Sequence, residues 1–356
     1  MAAERRILVT GGAGFVGANL AIGLRERHPD WHVVALDNLK RRGSELNLPR
    51  LRAAGVEFRH GDVREASDLQ AVPRIDALVE CSAEPSVLAG VDGATDYLVG
   101  SNLIGAWHCL ELARRDRAQV VFLSTSRVYP VATLGALAYE AAPTRFELSD
   151  AQPVAGASPE GIAEDFPMRG ARTLYGATKL SAELLVEEYR TSFGLHTVID
   201  RWGVIAGPWQ MGKVDQGVFT YWVLAHSFGR PLRYIGFDGT GRQVRDLVHI
   251  ADVVALLDDQ LLRPDHWDGV VVNAGGGRAC SLSLLETTSL CQELTGREVP
   301  VEAAAEERPG DVPVYISDCR RLRARYEWSP QHTAPDILRD IAEWSTEHES
   351  QILSAL

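Results

Sequence analysis

The sequence predicts a doubly wound α/β fold, in which helices cover both faces of a parallel sheet. Three features of the chain lead to this prediction. Strand-like and helix-like segments alternate between residues 6 and 201, the strand-like segments are short and mostly apolar, and a glycine-rich turn follows the first of them. Alternation of this kind is typical of βαβ units, whose crossover helices bury the sheet on both sides.

Each predicted strand of this region is rich in Val, Ile or Leu, residues that suit a buried parallel sheet. In chain order the strands are 6–10, 32–37, 56–62, 77–82, 119–125 and 196–201. Helical periodicity separates them, at 15–27, 44–54, 65–71, 95–115 and 173–193. The rhythm loosens after residue 202, where we expect helices at 217–228, 250–263, 282–295 and 335–350 and strands near 231–235, 243–249 and 269–274.

Segment 130–170 interrupts this rhythm, because it is rich in Ala, Pro and acidic residues and shows little periodicity. Loops of this length inside compact domains are usually functional or mobile. We therefore expect the segment to lie near the active site.

Composition and charge narrow the class of protein. The chain has 356 residues, of which 46% are hydrophobic and 24% charged, as in a globular protein with a sizeable core. Its net charge of −12 argues against nucleic acid as a partner, because nucleic-acid binders carry basic patches. The apolar runs are too short to cross a membrane, and the apolar start breaks into glycines too early for a signal peptide.

The five cysteines are odd in number, scattered, and form no Cys-x-x-Cys pair. We interpret them as reduced, mostly buried thiols of a cytoplasmic protein. The ten histidines show no metal-ligand spacing either, so we expect no metal site.

The stretch "VTGGAGFVG" has the spacing of a dinucleotide-binding turn. Gly11 permits the tight turn, Gly14 lets the backbone approach a pyrophosphate, and Gly17 lets the helix pack closely against the strand. The start of the helix, with Phe15 and Val16, offers N–H groups and a positive dipole to the phosphates. This part of the sequence therefore predicts a Rossmann-type domain that binds NAD.

The length and the change of rhythm after residue 202 suit two domains. We assign 1–202 and 240–275 to the NAD-binding domain. We assign 203–239 and 276–356 to a smaller, mixed α/β domain that binds the substrate.

Asp37 ends the second strand, twenty residues after Gly17, where an acid can bind both hydroxyls of the adenosine ribose. A carboxylate there also repels a 2′-phosphate, which favours NAD over NADP. The basic run 40–42 complicates this choice, since Arg42 or a neighbour could receive such a phosphate, although a solvated basic surface would also explain it. Asp62 is placed to accept from the adenine amino group, or is a plain turn aspartate. The other residues that we assign to the cofactor are Asn38, Val63, Ser82, Ala83 and Asn102.

The stretch "TLYGATK" carries the second chemical signal. Tyr175 and Lys179 are four residues apart, so they share one face of a helix. An ammonium near a phenol favours the phenolate, and a base works best when its pKa is near the working pH. Tyr175 could then take a proton from an alcohol, with Thr125 at a strand end orienting the substrate. A surface pair on an amphipathic helix is the alternative, which the glycine turn upstream argues against.

These residues, in this order, resemble the extended short-chain dehydrogenase/reductase superfamily, which acts on nucleotide sugars. The resemblance extends over roughly residues 6 to 345. Further stretches are similar to the CDP-paratose 2-epimerase (tyvelose epimerase) branch, and they are 37–48, 170–185, 207–219 and 239–253. That branch keeps NAD bound, oxidises carbon 2 of a CDP-linked sugar and returns the hydride to the other face. Relatives also pair helices equivalent to 95–115 and 173–193, which implies a homodimer or a larger homo-oligomer.

The resemblance also implies a set of substrate residues. Arg245 and Arg308 match positions that bind the nucleotide diphosphate, although Arg308 could be a plain loop arginine. Segment 215–217 matches the sugar or nucleotide pocket, although its aspartate could instead cap a helix. The complete set that we assign to the substrate is Glu84, Ser126, Arg127, Val204, Asp215, Gln216, Gly217, Arg245 and Arg308.

Two departures from the family pattern bear on the reaction. Glu80 stands where many relatives have a histidine. The two residues after Thr125 are Ser126 and Arg127, whereas in the 4,6-dehydratases an Asp and a Glu there eliminate water. The sequence therefore favours an epimerase. A UDP-sugar 4-epimerase and a non-catalytic NAD-binding regulator are the alternatives, and the intact Thr125, Tyr175 and Lys179 argue against the regulator.

Overall fold

The protein is built on a seven-stranded, all-parallel sheet, the central sheet. A computed structural model describes residues 5–91, 93–213, 216–304 and 306–355. In spatial order the strands are Val270–Ala274, Thr197–Trp202, Gln119–Thr125, Ala77–Glu80, Arg6–Thr10, His32–Asp37 and Glu57–His60. Chain order reverses on either side of Arg6–Thr10, so a crevice opens at the carboxyl ends of the central strands, where ligands bind in such sheets.

Helices bury both faces of the central sheet. One apolar cluster joins the sheet to the helices Phe15–Arg27 and Ile250–Leu262, and a second joins it to Gly105–Asp116 and Leu174–Phe193. The predicted doubly wound fold is therefore confirmed. The other α-helices are Leu48–Ala53, Ala66–Gln70, Asp96–Val99, Val131–Gly135, Val218–Ser227, Pro264–Trp267, Leu284–Thr295, Arg320–Tyr326, Ala334–Glu347 and Glu349–Ala355.

A second, mixed sheet lies beyond the carboxyl ends of the central sheet. Its strands are Val204–Ala206, Val244–His249, Ser281–Ser283 and Val314–Tyr315. The domain boundaries remain a prediction, but one strand lies on the other side of the expected division. Val244–His249 pairs with Val204–Ala206 and Ser281–Ser283 rather than with the central sheet, to which we had assigned 240–275. Its apolar residues identify a strand without identifying its partners.

The remaining strands among the described residues form three short pairs. Leu232–Ile235 pairs with Val301–Ala304, Tyr139–Ala141 with Phe146–Leu148, and Ala157–Ser158 with Gly161–Ile162. The last two pairs account for most of the regular secondary structure in segment 130–170. Its apolar side chains, including the fully buried Ile162 and Phe166, pack against Val312 to Ile316. The segment contributes no residue to the lining of the active-site cavity, and its expected position near the site stays a prediction.

The predicted helix 95–115 is interrupted. It consists of Asp96–Val99, a π-helical turn over Gly100–Ile104, and Gly105–Asp116. The extra residue of a π-turn shifts the face that the following residues present, and such turns are frequent at functional sites. No helix among the described residues is both long enough and apolar enough to cross a membrane.

Asp200, in the middle of the central sheet, is a fully buried carboxyl group with one hydrogen-bond partner. Gln260 Nε2 donates to its Oδ1 at 2.8 Å. Burial raises the pKa of Asp200 from 3.8 to about 7. Between pH 3.8 and about pH 7, Asp200 is ionised in the unfolded chain but keeps its proton in the folded chain. This group therefore makes the fold less stable as the pH rises.

Asp200→Asn is therefore expected to stabilise the protein at pH 8 and to lose that advantage towards pH 4. The pH-dependent part amounts to about 4 kcal/mol, since one pKa unit corresponds to about 1.4 kcal/mol. The measurement is the free energy of unfolding in denaturant at both pH values, with the exposed Asp150→Asn as control. An equal effect of Asp200→Asn at pH 4 and pH 8 would contradict the prediction.

Candidate active site

The glycine turn is closed by contacts that only glycine permits. Gly11 has a positive φ of 61°, and a Cβ on Gly17 would lie 2.2 Å from the carbonyl oxygen of Gly11. A Cβ on Gly14 would meet only the Gly11 carbonyl, at 3.0 Å, and otherwise face open space. The turn thus packs tightly at Gly17 and leaves room beside Gly14, as a bound pyrophosphate requires.

Asp37 lies directly beside this turn. Its carboxylate accepts from the backbone N–H of Ala13 at 3.1 Å and of Leu39 at 2.8 Å. Burial raises the pKa of Asp37, and these backbone donors oppose that effect. The strand end and the glycine turn are therefore locked together at the predicted ribose site.

Asp62 is held ionised by its neighbours. Asn38 Nδ2 donates to its Oδ2 at 2.9 Å, and Arg64 Nη2 donates to the same oxygen at 2.7 Å. Burial acts to raise the pKa of Asp62, but the hydrogen bonds from Arg64 and Asn38 hold it at about 2. The adjacent Val63 is buried, and its carbonyl oxygen lies 2.9 Å from His108 Nδ1.

The three residues of the basic run 40–42 have different contacts. Arg42 Nη2 donates to the carbonyl of Ser354 at 2.8 Å, so this arginine binds the C-terminal helix rather than the cavity. Arg41 lines the cavity instead and donates to Gln216. Lys40 Nζ lies 3.9 Å from the ring centre of Tyr97.

A single cavity of about 370 Å³ connects the glycine turn with the predicted catalytic and substrate residues. The predicted residues in its lining are Gly11, Gly14, Phe15, Val16, Gly17, Ala83, Thr125, Ser126, Arg127, Tyr175, Lys179, Val204, Gln216, Gly217, Arg245 and Arg308. Those outside the lining are Asp37, Asn38, Arg42, Asp62, Val63, Ser82, Glu84 and Asn102. Asp215 falls outside the described residues. The sequence analysis did not single out several further lining residues, among them Trp202, Met211, Gln243 and Asp311.

Thr125 and Tyr175 both line the cavity. Thr125 ends a central strand, and Tyr175 lies in the first turn of the helix Leu174–Phe193, which Thr173 caps. Close packing of this helix needs Gly176, because a Cβ there would lie 2.0 Å from the carbonyl oxygen of Arg127. Thr125 Oγ1 accepts from the backbone N–H of Arg127 at 3.2 Å, and the Thr125 side chain lies near the Tyr175 phenol. Burial raises the pKa of Tyr175, and Thr125 and Arg127 act in the opposite direction.

Lys179 forms a buried ion pair that sequence spacing did not reveal. Its Nζ lies 3.4 Å from Glu80 Oε2, and the two side chains are only 3% and 2% exposed. Ser82 Oγ donates to the other oxygen of Glu80 at 2.6 Å. The ammonium also lies 3.9 Å from the ring centre of Phe122. Glu80, noted above as a departure from the family pattern, is thus the direct partner of the predicted catalytic lysine.

Asn102, in the π-turn, joins the loop after strand Ala77–Glu80 to the helix of Tyr175. Its Oδ1 accepts from the N–H of Glu84 at 2.8 Å. Its Nδ2 donates to the carbonyl of Glu84 at 3.1 Å and to Thr178 Oγ1 at 3.2 Å. Asn102 therefore positions the cavity wall without lining it, and the backbone of Glu84 is fixed by the same contacts.

Three arginines, Arg127, Arg245 and Arg308, lie close together in the lining of the cavity. Arg127 Nη1 donates to the carbonyl of Gly310 at 3.0 Å. Arg245 pairs with Asp311 and donates to the carbonyl of Val312 at 2.7 Å. Burial lowers the pKa of Arg127 to about 10, as do Arg245 and Arg308, while Asp311 opposes them. Three neighbouring guanidiniums make this part of the lining suitable for an anion such as a diphosphate.

The comparisons with known proteins agree with this geometry. Residues 7–275 match the profile of the NAD dependent epimerase/dehydratase family. The chain belongs to this family. The glycine turn, the room beside Gly14 and the carboxylate of Asp37 fit NAD, which is its cofactor.

Similarity to individual members extends over nearly the whole chain. A CDP-paratose 2-epimerase of Salmonella typhi is 27% identical, over 96% of this chain and 99% of the relative. A UDP-glucose 4-epimerase of Azospirillum brasilense is 28% identical, over 99% of this chain and 95% of the relative. Among solved structures, UDP-glucose 4-epimerase of Thermotoga maritima, in complex with UDP-glucose, superposes with a TM-score of 0.78 at 25% identity, over 97% of this chain and 99% of that one. The predictions of an epimerase-family enzyme, a Rossmann-type fold and NAD are confirmed.

Proposed function

We propose that the protein is a nucleotide-sugar epimerase that inverts one carbinol carbon by transient oxidation to a keto sugar. The observation that supports this most strongly is the content of the single cavity. It brings the NAD turn, the Thr125–Tyr175 pair and the arginine cluster together, while Ser126 and Arg127 stand where a dehydratase needs two acids. Without those acids, elimination of water has no general acid or base at these positions.

The roles of the side chains follow from their positions. When bound, NAD supplies an acceptor for a hydride and gives the hydride back. Tyr175 accepts the proton of the reacting hydroxyl and later returns it, and Thr125 orients that hydroxyl through its own. Arg245 and Arg308 bind the diphosphate, which anchors the nucleotide while the sugar turns over between the two half-reactions.

We propose a CDP-linked (deoxy)hexose, inverted at carbon 2, as the substrate. The similarity to CDP-paratose 2-epimerase supports this choice, and two of the stretches that carry the resemblance, 207–219 and 239–253, line the cavity with Gln210, Gln243 and Arg245. A UDP-sugar inverted at carbon 4 is the second candidate, because UDP-glucose 4-epimerases are also similar over the whole chain.

Two measurements test the proposed function. The purified protein is denatured and its released nucleotides are identified by mass spectrometry. Retained NAD is expected, and a retained nucleotide sugar would identify the base directly. The protein is then offered CDP-glucose, CDP-paratose and UDP-glucose, and products are followed by NMR. Inversion at carbon 2 of a CDP-sugar is expected; inversion of UDP-glucose alone would favour the second candidate, and loss of water would overturn the epimerase assignment.

Arg245→Ala is expected to raise KM about tenfold to a hundredfold, because a hydrogen bond to a charged group contributes about 1.5–3 kcal/mol. Removal of the arginine also leaves the carboxylate of Asp311 without this partner beside the diphosphate. Steady-state kinetics provide the measurement. Arg233→Ala is the control, because Arg233 pairs with Glu302 and Glu306 outside the cavity lining. An unchanged KM for Arg245→Ala would place the diphosphate elsewhere.

We also propose that the protein is a cytoplasmic homodimer or larger homo-oligomer. The helices Gly105–Asp116 and Leu174–Phe193 pack side by side. They and the preceding π-turn expose five large apolar side chains, which are Ile104, Trp107, Leu174, Leu184 and Phe193, and Leu184 is the most exposed of them at 59%. Light scattering on the wild type and on Leu184→Glu tests the assembly; dimers in both would show that this face is not the interface.

The five cysteines are all free thiols, which supports a reducing compartment.

A further inference from the structure

The pairing of Lys179 with Glu80 changes the electrostatics of the active site. A lysine four residues after the tyrosine favours the phenolate only if its positive charge is not cancelled nearby. Here a carboxylate lies 3.4 Å from the ammonium, and both groups are almost completely buried. Because the pair is so close, the negative charge of Glu80 offsets most of the effect that the Lys179 ammonium would have on the pKa of Tyr175.

Arg127 is the second cation beside the tyrosine, and its position is fixed from two sides. Its backbone N–H donates to Thr125 Oγ1 at 3.2 Å, and its carbonyl packs against Gly176, the residue after Tyr175. Its guanidinium donates to the carbonyl of Gly310 at 3.0 Å and lines the same cavity as Tyr175. No carboxylate is hydrogen-bonded to this guanidinium among the contacts of the described residues.

We propose that Arg127, rather than Lys179, is the cation that stabilises the phenolate of Tyr175, and that Glu80 causes this exchange by neutralising Lys179. The proposal rests on the proposed function, in which Tyr175 is the base. Arg127 and Glu80 act through Tyr175 and are therefore positioning residues. On this proposal, Arg127, which stands where the dehydratases have an acid, contributes to the epimerase reaction through Tyr175.

The charged groups around Tyr175 decide in which direction each substitution should move its pKa. Arg127 approaches from the turn after strand Gln119–Thr125, Glu80 from the end of a neighbouring strand and Glu84 from the loop after it, while Lys179 lies on the helix of Tyr175 itself. Burial raises the pKa of Tyr175, Arg127 lowers it, and Glu80 and Glu84 raise it.

Arg127 has charged neighbours of its own. Arg245 and Arg308 oppose its charge, and Asp311 supports it. Loss of Arg127 should therefore raise the pKa of Tyr175, and loss of the charge on Glu80 should lower it.

The test is the pH dependence of kcat for the wild type, Arg127→Met, Arg127→Lys and Glu80→Gln. Activity rises as Tyr175 ionises, so the acid limb of the profile reports the phenolate. Arg127→Met is expected to move this limb to higher pH by about one unit or more, the usual effect of removing a nearby opposite charge. Arg127→Lys should restore most of the shift, and Glu80→Gln should move the limb to lower pH. Arg308→Gln is the matched control, with a higher KM and an unmoved acid limb.

Ultraviolet difference titration gives a readout that does not depend on turnover. Each variant is compared with the same variant carrying Tyr175→Phe, so that only the ionisation of Tyr175 remains in the difference. The phenolate should appear at higher pH in Arg127→Met and at lower pH in Glu80→Gln. An unmoved acid limb and an unmoved titration in Arg127→Met would overturn the proposal while leaving the epimerase assignment intact. A wild type that fails to epimerise would overturn the proposed function, and the titration would still decide the roles of Arg127 and Glu80.

Discussion

Tyr175→Phe is expected to keep NAD bound and to lose about 10²–10⁴-fold in turnover, the usual contribution of a general base. The substitution removes only the phenolic hydroxyl, which lies near Thr125, and the ring remains to fill the buried site. The measurements are kcat with the preferred nucleotide sugar and the NAD content of the denatured protein.

Tyr189→Phe is a matched control for this variant. Tyr189 lies on the same helix, but its hydroxyl is hydrogen-bonded to Glu111 outside the cavity lining. The control should keep the turnover of the wild type. Turnover in Tyr175→Phe that equals the wild-type value would show that another group accepts the proton.

Gly14→Val is expected to abolish NAD binding, and with it all turnover. The valine side chain would extend into the open space beside the glycine turn, where the pyrophosphate must come. The backbone of Gly14 has a φ of −70°, outside the positive-φ region, and the one tight contact of a Cβ there, 3.0 Å from the Gly11 carbonyl oxygen, requires only a small shift of the turn. The measurement is the nucleotide content of the purified protein, with circular dichroism to verify folding.

Gly135→Val provides the comparison for Gly14→Val, because a Cβ on Gly135 meets nothing within 4 Å and the residue lies outside the cavity lining. NAD content should be unchanged in this control. A normal amount of NAD in Gly14→Val would show that the glycine turn does not bind the pyrophosphate.

The parts of the fold that depend on local sequence were predictable. The alternating strands and the glycine spacing identified the central sheet. Thr125 lies at its carboxyl edge because it ends a strand, and Tyr175 lies in the first turn of a helix that begins beside the same cavity. Strand Val244–His249 could not be assigned to its sheet, since its apolar side chains would suit either one.

The details of the site depend on partners that are distant in the sequence. Arg42 and Arg41 are neighbours with the same charge, and only the tertiary positions of Ser354 and Gln216 send one away from the cavity and the other into it. Glu80 was visible as a departure from the family pattern, but its partner Lys179 lies 99 residues further along the chain. Periodicity likewise gave no sign of the π-turn that places Asn102.

The most direct test of the epimerase mechanism is the reaction in heavy water. Inversion by oxidation and reduction keeps the hydrogen of the inverted carbon out of contact with solvent, whereas inversion by proton abstraction exchanges it through acid and base groups. CDP-glucose and CDP-paratose would be converted in heavy water and the product read by NMR, where slow labelling next to a keto carbon is tolerable. The predicted result is no deuterium at the inverted carbon; stoichiometric deuterium at that carbon would contradict the mechanism.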